Sequence, residues 1–254
     1  MPHDLVIIFK GFARGESLAA YEECLQGVPH KRVYVGDYGF DVRPYLKVAR
    51  EHPHRHFMFL NSFSQVLVPG WLELLFRHVN RSQVGLVGAT GSHQSIVSDA
   101  PVLWAERRAD ANALRRVRYA ISIWRRFPVF PNPHLRTNGF LAPRDVLLRV
   151  HHAPILTKWA AYRFESGIGS MTRQVVAAGL TPLVAAADGR AYEPEAWPEA
   201  RTFWISRQEN LLVSDNQTRV YAKGDASTRE RLAYFAWRRH PDGRLRDDAP
   251  GATR

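Results

Sequence analysis

The side chains best placed for binding chemistry follow an apolar strand in the first third of the chain. Phe57–Leu60 is a short apolar run, typical of a strand buried on both faces of a parallel sheet. The run ends at Asn61, Ser62 and Ser64, which are small and polar, and a Pro-Gly pair then precedes a helix. Because open α/β sheets bind ligands beyond the carboxyl ends of their strands, the sequence predicts a ligand site at these polar residues.

Further polar groups occur in the last third of the chain. Asp188 follows a predicted strand at 181–186, and Asp215, Asn216 and Gln217 stand together after an apolar step. This composition is typical of a ligand-facing loop rather than of a core helix. Aspartate and asparagine also make local turn hydrogen bonds, which would explain the same residues equally well. They are therefore candidates for a polar site loop without an assigned chemical role.

The segment FLNSFSQVLVPGWLELL carries a resemblance to a known family. It resembles the part of GT-A glycosyltransferases, family 2 in particular, where a strand ends in an Asp-X-Asp motif and a Pro-Gly-Trp-Leu helix follows. The two aspartates of that motif are here Asn61 and Phe63. The resemblance implies one α/β, Rossmann-like GT-A domain at 1–222, with a mostly parallel central sheet flanked by helices. A C-terminal helix and a polar tail at 223–254 are expected to pack on the same domain.

The same resemblance implies where a nucleotide-sugar donor would bind. Lys10, Gly11 and Asp37 follow the first two predicted strands and would hold the base and ribose, with Asp37 accepting hydrogen bonds. Asn61, Ser62 and Ser64 would lie against the same donor. The alternative for Asp37 is a turn carboxylate before a glycine-rich bend.

The proline-rich stretch FPVFPNPH leads into a second segment that resembles the family, Leu135–Leu141. In the family this loop lines the sugar pocket, so Asn138 and Gly139 are candidates to touch the donor. Arg136 is a candidate phosphate contact because a guanidinium makes planar bidentate hydrogen bonds. The alternative is that Asn-Gly simply forms a turn.

The segment Phe164–Arg173 resembles the place where family 2 enzymes have Glu-Asp before a helix. Glu165 matches the first carboxylate, and Ser166 replaces the second. The implied role of Glu165 is the general base that deprotonates the acceptor hydroxyl, which requires a carboxylate within hydrogen-bond reach. The alternative for Glu165 is a salt bridge near a helix end.

The altered motif also bears on metal binding. Mn²⁺ or Mg²⁺ joining a diphosphate to protein favours carboxylate oxygens, whereas Asn61, Ser62 and Ser64 offer only neutral ones. We therefore predict no metal ligand and expect arginine and lysine to neutralise the leaving diphosphate. A metal held mainly by the substrate is the alternative. His240 occupies roughly the place of a C-terminal histidine ligand in many GT-A enzymes, but interaction with a helix dipole would equally explain it.

The leading functional prediction is an enzyme that moves a sugar from a nucleotide-diphosphate-sugar donor to a hydroxyl acceptor, in cell-surface polysaccharide or lipid-linked glycan synthesis. The missing aspartates leave open a GT-A-like module that binds glycan or nucleotide without turnover. A nucleic-acid-binding protein is a third possibility that the basic charge permits. No recognition motif supports it, so no nucleic acid partner is expected.

Composition sets the remaining bounds. The 254 residues, 45% of them hydrophobic and 23% charged, suit an ordinary globular protein with a sizeable core. The net charge of +11 indicates an anionic partner, or simply a genome that favours arginine. Because Cys24 is the sole cysteine and the N-terminus lacks signal-peptide features, we expect a cytoplasmic protein, at most peripheral to the inner face of the membrane.

One predicted helix is strongly basic. Within 104–126, Leu114, Val117, Ile121 and Trp124 form one stripe, and arginines lie largely off it. Such a helix can lie on an anionic membrane surface, or it can pack its stripe into the core and expose its arginines. The core interpretation is the commoner outcome for such a pattern.

Overall fold

Strands and helices alternate along most of the chain in the computed structural model, which describes residues 1–13, 18–106 and 113–246. The strands are β1 Val6–Lys10, β2 Lys31–Val35, β3 His56–Leu60, β4 Gln65–Val66, β5 Val84–Gly88, β6 Gly91–Ser92, β7 His134–Leu135, β8 Gly139–Pro143, β9 Thr181–Ala185, β10 Ala191–Tyr192 and β11 Val213–Ser214. The helices are α1 Ala19–Leu25, α2 Val42–Glu51, α3 Trp71–Val79, α4 Ile96–Glu106, α5 Ala113–Trp124, α6 Arg144–Arg149, α7 Lys158–Ser166, α8 Met171–Ala177, α9 Asn216–Lys223 and α10 Ala226–Trp237, with a 3-10 helix at Pro194–Ala200.

The predicted α/β class is confirmed, but the central sheet is mixed and not mostly parallel. Its strand order is β10-β9-β5-β8-β3, and only the β5–β9 pairing is parallel. Strand β8 pairs antiparallel with both β3 and β5, so β3 and β5 run in the same direction on either side of it. Strands β1 and β2 form a separate parallel pair. An apolar run does not reveal the direction of its strand. The sequence therefore did not indicate that β8 runs antiparallel to its neighbours.

The predicted burial of β3 is confirmed on one face only, because Phe57 and Phe59 are buried whereas Met58 is half-buried and Leu60 is 37% exposed. Phe57 and Phe59 point to one side, where Phe59 stacks on Tyr45 of α2 with ring centroids 4.5 Å apart. Met58 points to the other side and packs against the cluster that contains Leu75 of α3. The alternation of side chains along a strand sends successive residues to opposite faces, so this one strand joins two hydrophobic cores.

The C-terminal helix α10 packs into the larger of these cores. Leu232, Ala236 and Trp237 belong to the same buried cluster as Phe57 and Phe59. The Trp237 indole Nε1 donates a hydrogen bond to the Phe203 carbonyl oxygen, 2.7 Å away. Asp225 caps this helix by accepting from the Thr228 amide at 2.7 Å.

None of the helices in the described ranges combines the length and apolar content needed to span a bilayer.

A buried ion pair ties α4 to the end of α10. The Asp99 carboxylate is fully buried and accepts from the Arg238 guanidinium at 2.8 Å and from the Gln94 amide at 3.0 Å. Arg238 also lies over the rings of Tyr234 and Phe130. Burial outweighs these favourable contacts and raises the pKa of Asp99 from 3.8 to about 6.

This raised pKa predicts that Asp99 makes the fold less stable as the pH rises. Between the pKa of Asp99 in the unfolded chain and its pKa in the folded chain, the folded chain holds a proton that the unfolded chain lacks. The free energy of unfolding therefore falls as the pH rises through this window, and the loss is complete above about pH 6. Relative to Asp99→Asn, the native chain should lose about 2 kcal/mol of stability between pH 4.5 and pH 7, measured by urea unfolding. The exposed carboxylate variant Asp188→Asn should show no comparable change, and a constant difference for Asp99→Asn would contradict the assignment.

Candidate functional site

The start of β8 brings several predicted site residues together at the carboxyl end of β3. Leu60 pairs with Gly139, and the Asn61 amide donates to the Asn138 carbonyl oxygen at 3.3 Å. The Ser64 hydroxyl donates to the same carbonyl at 2.8 Å. The carboxyl end of β5 lies on the other side of β8, where Ala89 donates to the Gly139 carbonyl. The antiparallel strand therefore collects, at one edge of the sheet, polar groups that are distant in sequence.

The side chain of Asn138 is buried at this edge. Its Oδ1 accepts from the Thr90 hydroxyl at 3.0 Å. Its Nδ2 is buried and has no hydrogen-bond partner among the residues that the structure describes. A buried donor without an acceptor is uncommon in proteins because it costs free energy, so this amide marks the edge as a candidate ligand contact.

Glu165 is anchored to the segment that enters β8. One carboxylate oxygen, Oε2, accepts from the Thr137 amide at 2.7 Å and from the Thr137 hydroxyl at 2.5 Å. Glu165 lies in the last turn of α7, just before the next helix α8. Ser170 caps α8 by accepting from the Arg173 amide. Within the described ranges, Oε1 of Glu165 accepts no hydrogen bond, so it is available to a ligand.

Two further titratable groups, which the sequence analysis did not assign to the site, lie close to Glu165. Burial raises the pKa of the Asp41 carboxyl, the Lys10 charge opposes this, and the Glu165 charge adds to it. Burial lowers the pKa of the His134 imidazole, and Glu165 opposes that shift. Asp41 stands at the N-cap position of α2, but its side chain makes no cap hydrogen bond. Asp41 instead interacts electrostatically with both Lys10 and Glu165.

Arg136 and Asp215 form a buried ion pair beside these residues. The guanidinium Nη2 lies 2.8 Å from the Asp215 carboxylate, and the side chains are 15% and 1% exposed. Arg136 also lies over the Phe203 ring, with its Cζ atom 4.3 Å from the centroid. The predicted phosphate contact is therefore already balanced by a carboxylate, which reduces the charge it can offer a ligand.

The polar group at 215–218 begins a helix and is not the predicted loop. Asp215 accepts from the Thr218 amide at 2.8 Å, and the Thr218 hydroxyl accepts from the Asp215 amide at 2.7 Å, which is a reciprocal capping box. Asn216 is exposed in the first turn, and the Gln217 carbonyl oxygen accepts from the Trp204 indole at 3.0 Å. The sequence DNQT therefore caps helix α9. Among its side chains, only that of Asp215 contacts the site residues described above, through Arg136.

Arg219 is a cation at the site that no sequence pattern indicated. It lies on α9, one turn after Asp215, and its Nη1 donates to the Phe63 carbonyl oxygen at 3.0 Å. Phe63 stands at the second aspartate position of the altered motif and is 54% exposed. A positive charge therefore lies where the family resemblance would place metal-binding carboxylates.

The term sheet-edge cluster is used below for the residues gathered by β8, namely Asn61, Ser64, Arg136, Asn138, Glu165 and Asp215. Two other candidates lie apart from it. Ser62 is exposed and makes no hydrogen bond within the described part of the chain. Asp188 is exposed in the turn between β9 and β10, where it accepts from the Arg190 amide and the Tyr192 hydroxyl.

A second concavity lies at the carboxyl ends of β1 and β2. This strand-end cleft has a volume of about 340 Å³ and is lined by Gly11, Phe12, Ala13, Tyr34, Val35, Gly36 and Asp37. Lys10 pairs with Asp37 at 2.7 Å on its rim, where the Asp37 side chain is 77% exposed. Gly11 has a φ of +83°, and a Cβ at this position would lie 3.1 Å from the Cβ of Asp37. Glycine therefore allows the two strand ends to approach closely.

Metal ligands are not concentrated anywhere in the described ranges, where no group of three histidine, cysteine, aspartate or glutamate side chains could hold an ion. His240 lies 3.7 Å from a Glu230 carboxylate oxygen and is remote in sequence from the sheet-edge cluster. At that cluster Asn61 Oδ1 instead accepts from the Phe63 amide and the Ser64 hydroxyl, each at 3.0 Å. These neutral groups are engaged with one another.

Comparison with known proteins adds no family assignment. No family model, no curated protein and no solved structure matches the chain. The function is therefore inferred below from the geometry of the sheet-edge cluster and the strand-end cleft.

We predict that the charge on Asp215 is required for stability as well as for the site. Asp215→Asn keeps an oxygen to cap α9 but leaves the buried Arg136 charge unpaired, which should cost about 3 kcal/mol in urea unfolding. Asp225→Asn is a matched control, because Asp225 also caps a helix through its carboxylate but is exposed. It should cost much less than Asp215→Asn, because an asparagine still caps the helix and no buried charge is left unpaired. Equal losses in the two variants would show that capping, and not the ion pair, is what Asp215 contributes.

Proposed function

We propose that this protein is a GT-A-like glycosyltransferase, which moves a sugar from a nucleotide-diphosphate donor to a hydroxyl acceptor. The observation that carries the proposal is the anchored carboxylate of Glu165 at the sheet edge, with one oxygen held by Thr137 and the other available. A mixed sheet with an antiparallel strand at the ligand-binding edge is compatible with this assignment. The family assignment itself depends on the sequence resemblance.

The strand-end cleft suits the nucleoside part of such a donor. Its volume of about 340 Å³ is at the lower end of small-molecule sites. Phe12 and Tyr34 line it and offer aromatic faces for a base, while Asp37 on the rim can accept hydrogen bonds from ribose hydroxyls or base amines. The electrostatic interaction of Asp41 with both Lys10 and Glu165 supports a link between this cleft and the sheet-edge cluster.

Two cations are placed to neutralise the leaving diphosphate. Lys10 lies at the rim of the cleft, and its partner Asp37 is largely exposed, so this ion pair is weak and can exchange for phosphate. Arg219 donates to the neutral carbonyl oxygen of Phe63, within the segment Asn61–Ser64. None of the described carboxylates pairs with Arg219. Arg136, by contrast, is committed to Asp215. Lys10 and Arg219 are therefore the better candidates for the role that a divalent metal plays elsewhere.

Glu165 would act as the general base for the acceptor. Its Oε1 takes the proton of the acceptor hydroxyl as the acceptor oxygen forms a bond to the anomeric carbon of the sugar. The bond from that carbon to the phosphate oxygen breaks, and its electron pair leaves with the nucleotide diphosphate. The two Thr137 hydrogen bonds to Oε2 fix the orientation of the carboxylate, which a base requires.

A binding module without turnover is the second candidate. It is favoured by the replacement of both motif aspartates, at Asn61 and Phe63, because neutral and apolar groups cannot anchor a metal. Both candidates require a nucleotide or glycan ligand, and only the enzyme requires Glu165 to be ionisable. The two experiments below separate them.

We predict that a nucleotide diphosphate binds without added metal. Calorimetric titration of UDP and GDP should show the same affinity in EDTA as in Mn²⁺, because Lys10 and Arg219 supply the positive charge. Arg219→Ala should weaken binding in EDTA by about tenfold or more, the loss of one charge-assisted hydrogen bond. Arg207→Ala, which removes an exposed arginine elsewhere, is the control. Binding that appears only with Mn²⁺ would contradict the metal-free assignment.

We predict that Glu165 carries chemistry while Asp37 carries binding. Glu165→Gln should lower kcat by about 10²–10⁴ and leave donor affinity nearly unchanged, because the base is needed only as the proton leaves. Asp37→Asn should weaken donor binding with a smaller effect on kcat. Turnover is measured as nucleotide diphosphate released from the tightest-binding nucleotide-sugar over a panel of glycan acceptors.

The exposed variant Glu73→Gln controls for loss of charge in this experiment. Full turnover by Glu165→Gln would remove the base assignment. Donor binding without turnover by the native protein, on every acceptor of the panel, would instead support the binding module.

A further inference from the structure

The described part of helix α5 has a buried side and an exposed side. Ile123 is 2% exposed and packs with Ala100 and Phe127, and the ring of Trp159 meets Phe127 edge-on at 5.0 Å. The stripe predicted from the sequence is on the other side of the helix. Val117, Ile121 and Trp124 are 54%, 47% and 66% exposed.

The core interpretation of this stripe is therefore wrong for the residues described. Val117, Ile121 and Trp124 are spaced i, i+4 and i+7, so they project from one face of the helix. Ile123 lies away from that face and is the residue that fixes α5 to the protein. Leu114 of the same stripe, and the arginines at 107, 108, 115 and 116, lie outside the residues whose side chains are described. An exposed tryptophan beside two exposed aliphatic residues is an apolar surface that needs a partner.

Arginines flank the exposed stripe. Arg118 and Arg125 are one position beyond Val117 and Trp124, so they share one side of it. Together with Ile121, Ser122 and Arg126 they line a shallow surface depression of about 460 Å³. Neither Arg118 nor Arg125 pairs with a carboxylate within the ranges that the structure describes. Positive charge beside an apolar stripe is thus presented outward without an internal counter-charge.

We propose that this surface, the α5 face of Val117, Arg118, Ile121, Trp124 and Arg125, docks on an anionic lipid bilayer. Tryptophan is favoured at the membrane interface because its ring is apolar and its N–H can hydrogen-bond. The arginines would contact lipid phosphates while the aliphatic side chains enter the acyl boundary. At 12 residues, or about 18 Å, α5 is long enough to lie in the interface but too short to cross it.

The chemistry of the α5 face favours lipid over nucleic acid. Nucleic-acid surfaces are built mainly from groups that contact phosphate and sugar, and an exposed Val-Ile-Trp stripe adds little to them. The net charge of +11 assists approach to either anion, so it does not decide between them. The proposal is independent of the proposed glycosyl transfer, since no residue of the sheet-edge cluster belongs to this face.

The test is flotation of the purified full chain with vesicles. Vesicles of phosphatidylcholine with 30% phosphatidylglycerol should carry the protein at low salt, and vesicles of phosphatidylcholine alone should not. Trp124→Ala, and separately Arg118→Glu with Arg125→Glu, should each lower the partition coefficient, the arginine pair by more than about tenfold. The exposed arginines at 55 and 81 provide the matched control, because Arg55→Glu with Arg81→Glu lowers the net charge equally at other positions.

Three results would overturn the proposal. Equal flotation by the α5 variants and the control pair would show that net charge alone attracts the vesicles. Loss of binding to a DNA or RNA oligonucleotide in the α5 variants, with vesicle binding unchanged, would assign the face to nucleic acid. Conversion of a dimer to a monomer by Trp124→Ala in sedimentation velocity would make it an interface between copies. Circular dichroism of each variant confirms that the exposed substitutions leave the fold intact.

Discussion

The ion pair between Arg136 and Asp215 is the interaction on which the rest of the site depends. It joins the segment that enters β8 to the first turn of α9, two parts of the chain that are 79 positions apart. Because both side chains are largely buried, their desolvation is tolerated only while each has the other. Thr137 and Asn138 follow Arg136 directly, and Arg219 follows Asp215 by one helical turn. The pair therefore sets the position of the group that holds Glu165 and of the cation that reaches Phe63.

Opposite charges are combined differently in the two parts of the site. At the sheet-edge cluster the arginine is buried and balanced, whereas at the strand-end cleft Lys10 pairs with a carboxylate that is open to water. A buried pair is a fixed structural element, and an exposed pair exchanges its partner at little cost. This difference separates residues that build the site from residues that are free to meet a charged ligand, which sequence alone does not distinguish.

Much of the local structure follows from the sequence because it depends on short-range patterns. The apolar run before Asn61, the helix after Pro69-Gly70 and the cap at Ser170 were predictable from burial, turn and capping preferences. The direction of β8 was not, because an apolar strand looks the same in either direction. Asp215 was assigned to a loop for a related reason, since the same polar residues begin helices and form turns.

Of the sheet-edge cluster, Asn61 and Ser64 were predicted from the end of a strand, whereas Arg136, Asn138 and Glu165 were predicted from the family resemblance. The structure places Asn61 and Ser64 in contact with Asn138. Arg219 and Asp41 were not predicted as site residues, because their roles depend on residues that are near in the fold but distant in sequence. The α5 stripe was recognised, but which side of the helix faces the protein is decided by Ile123, and one buried residue outside the stripe gives no periodic signal.

The alternation along β8 has a consequence for insertions and deletions. Phe140 packs into the core beside α2, and its neighbour Leu141 packs into the core beside α3. A change of one residue within the strand would exchange these two faces and reverse every side chain that follows. The proline-rich stretch before the strand is also fixed, because Phe127 and Asn132 are buried in it and the Asn132 side chain donates to the carbonyl oxygens of Gln94 and Ser166. Changes of chain length by one residue should therefore be absent from Gly139–Pro143 among natural relatives, because this strand keeps the polar groups at the sheet edge in register with both hydrophobic cores.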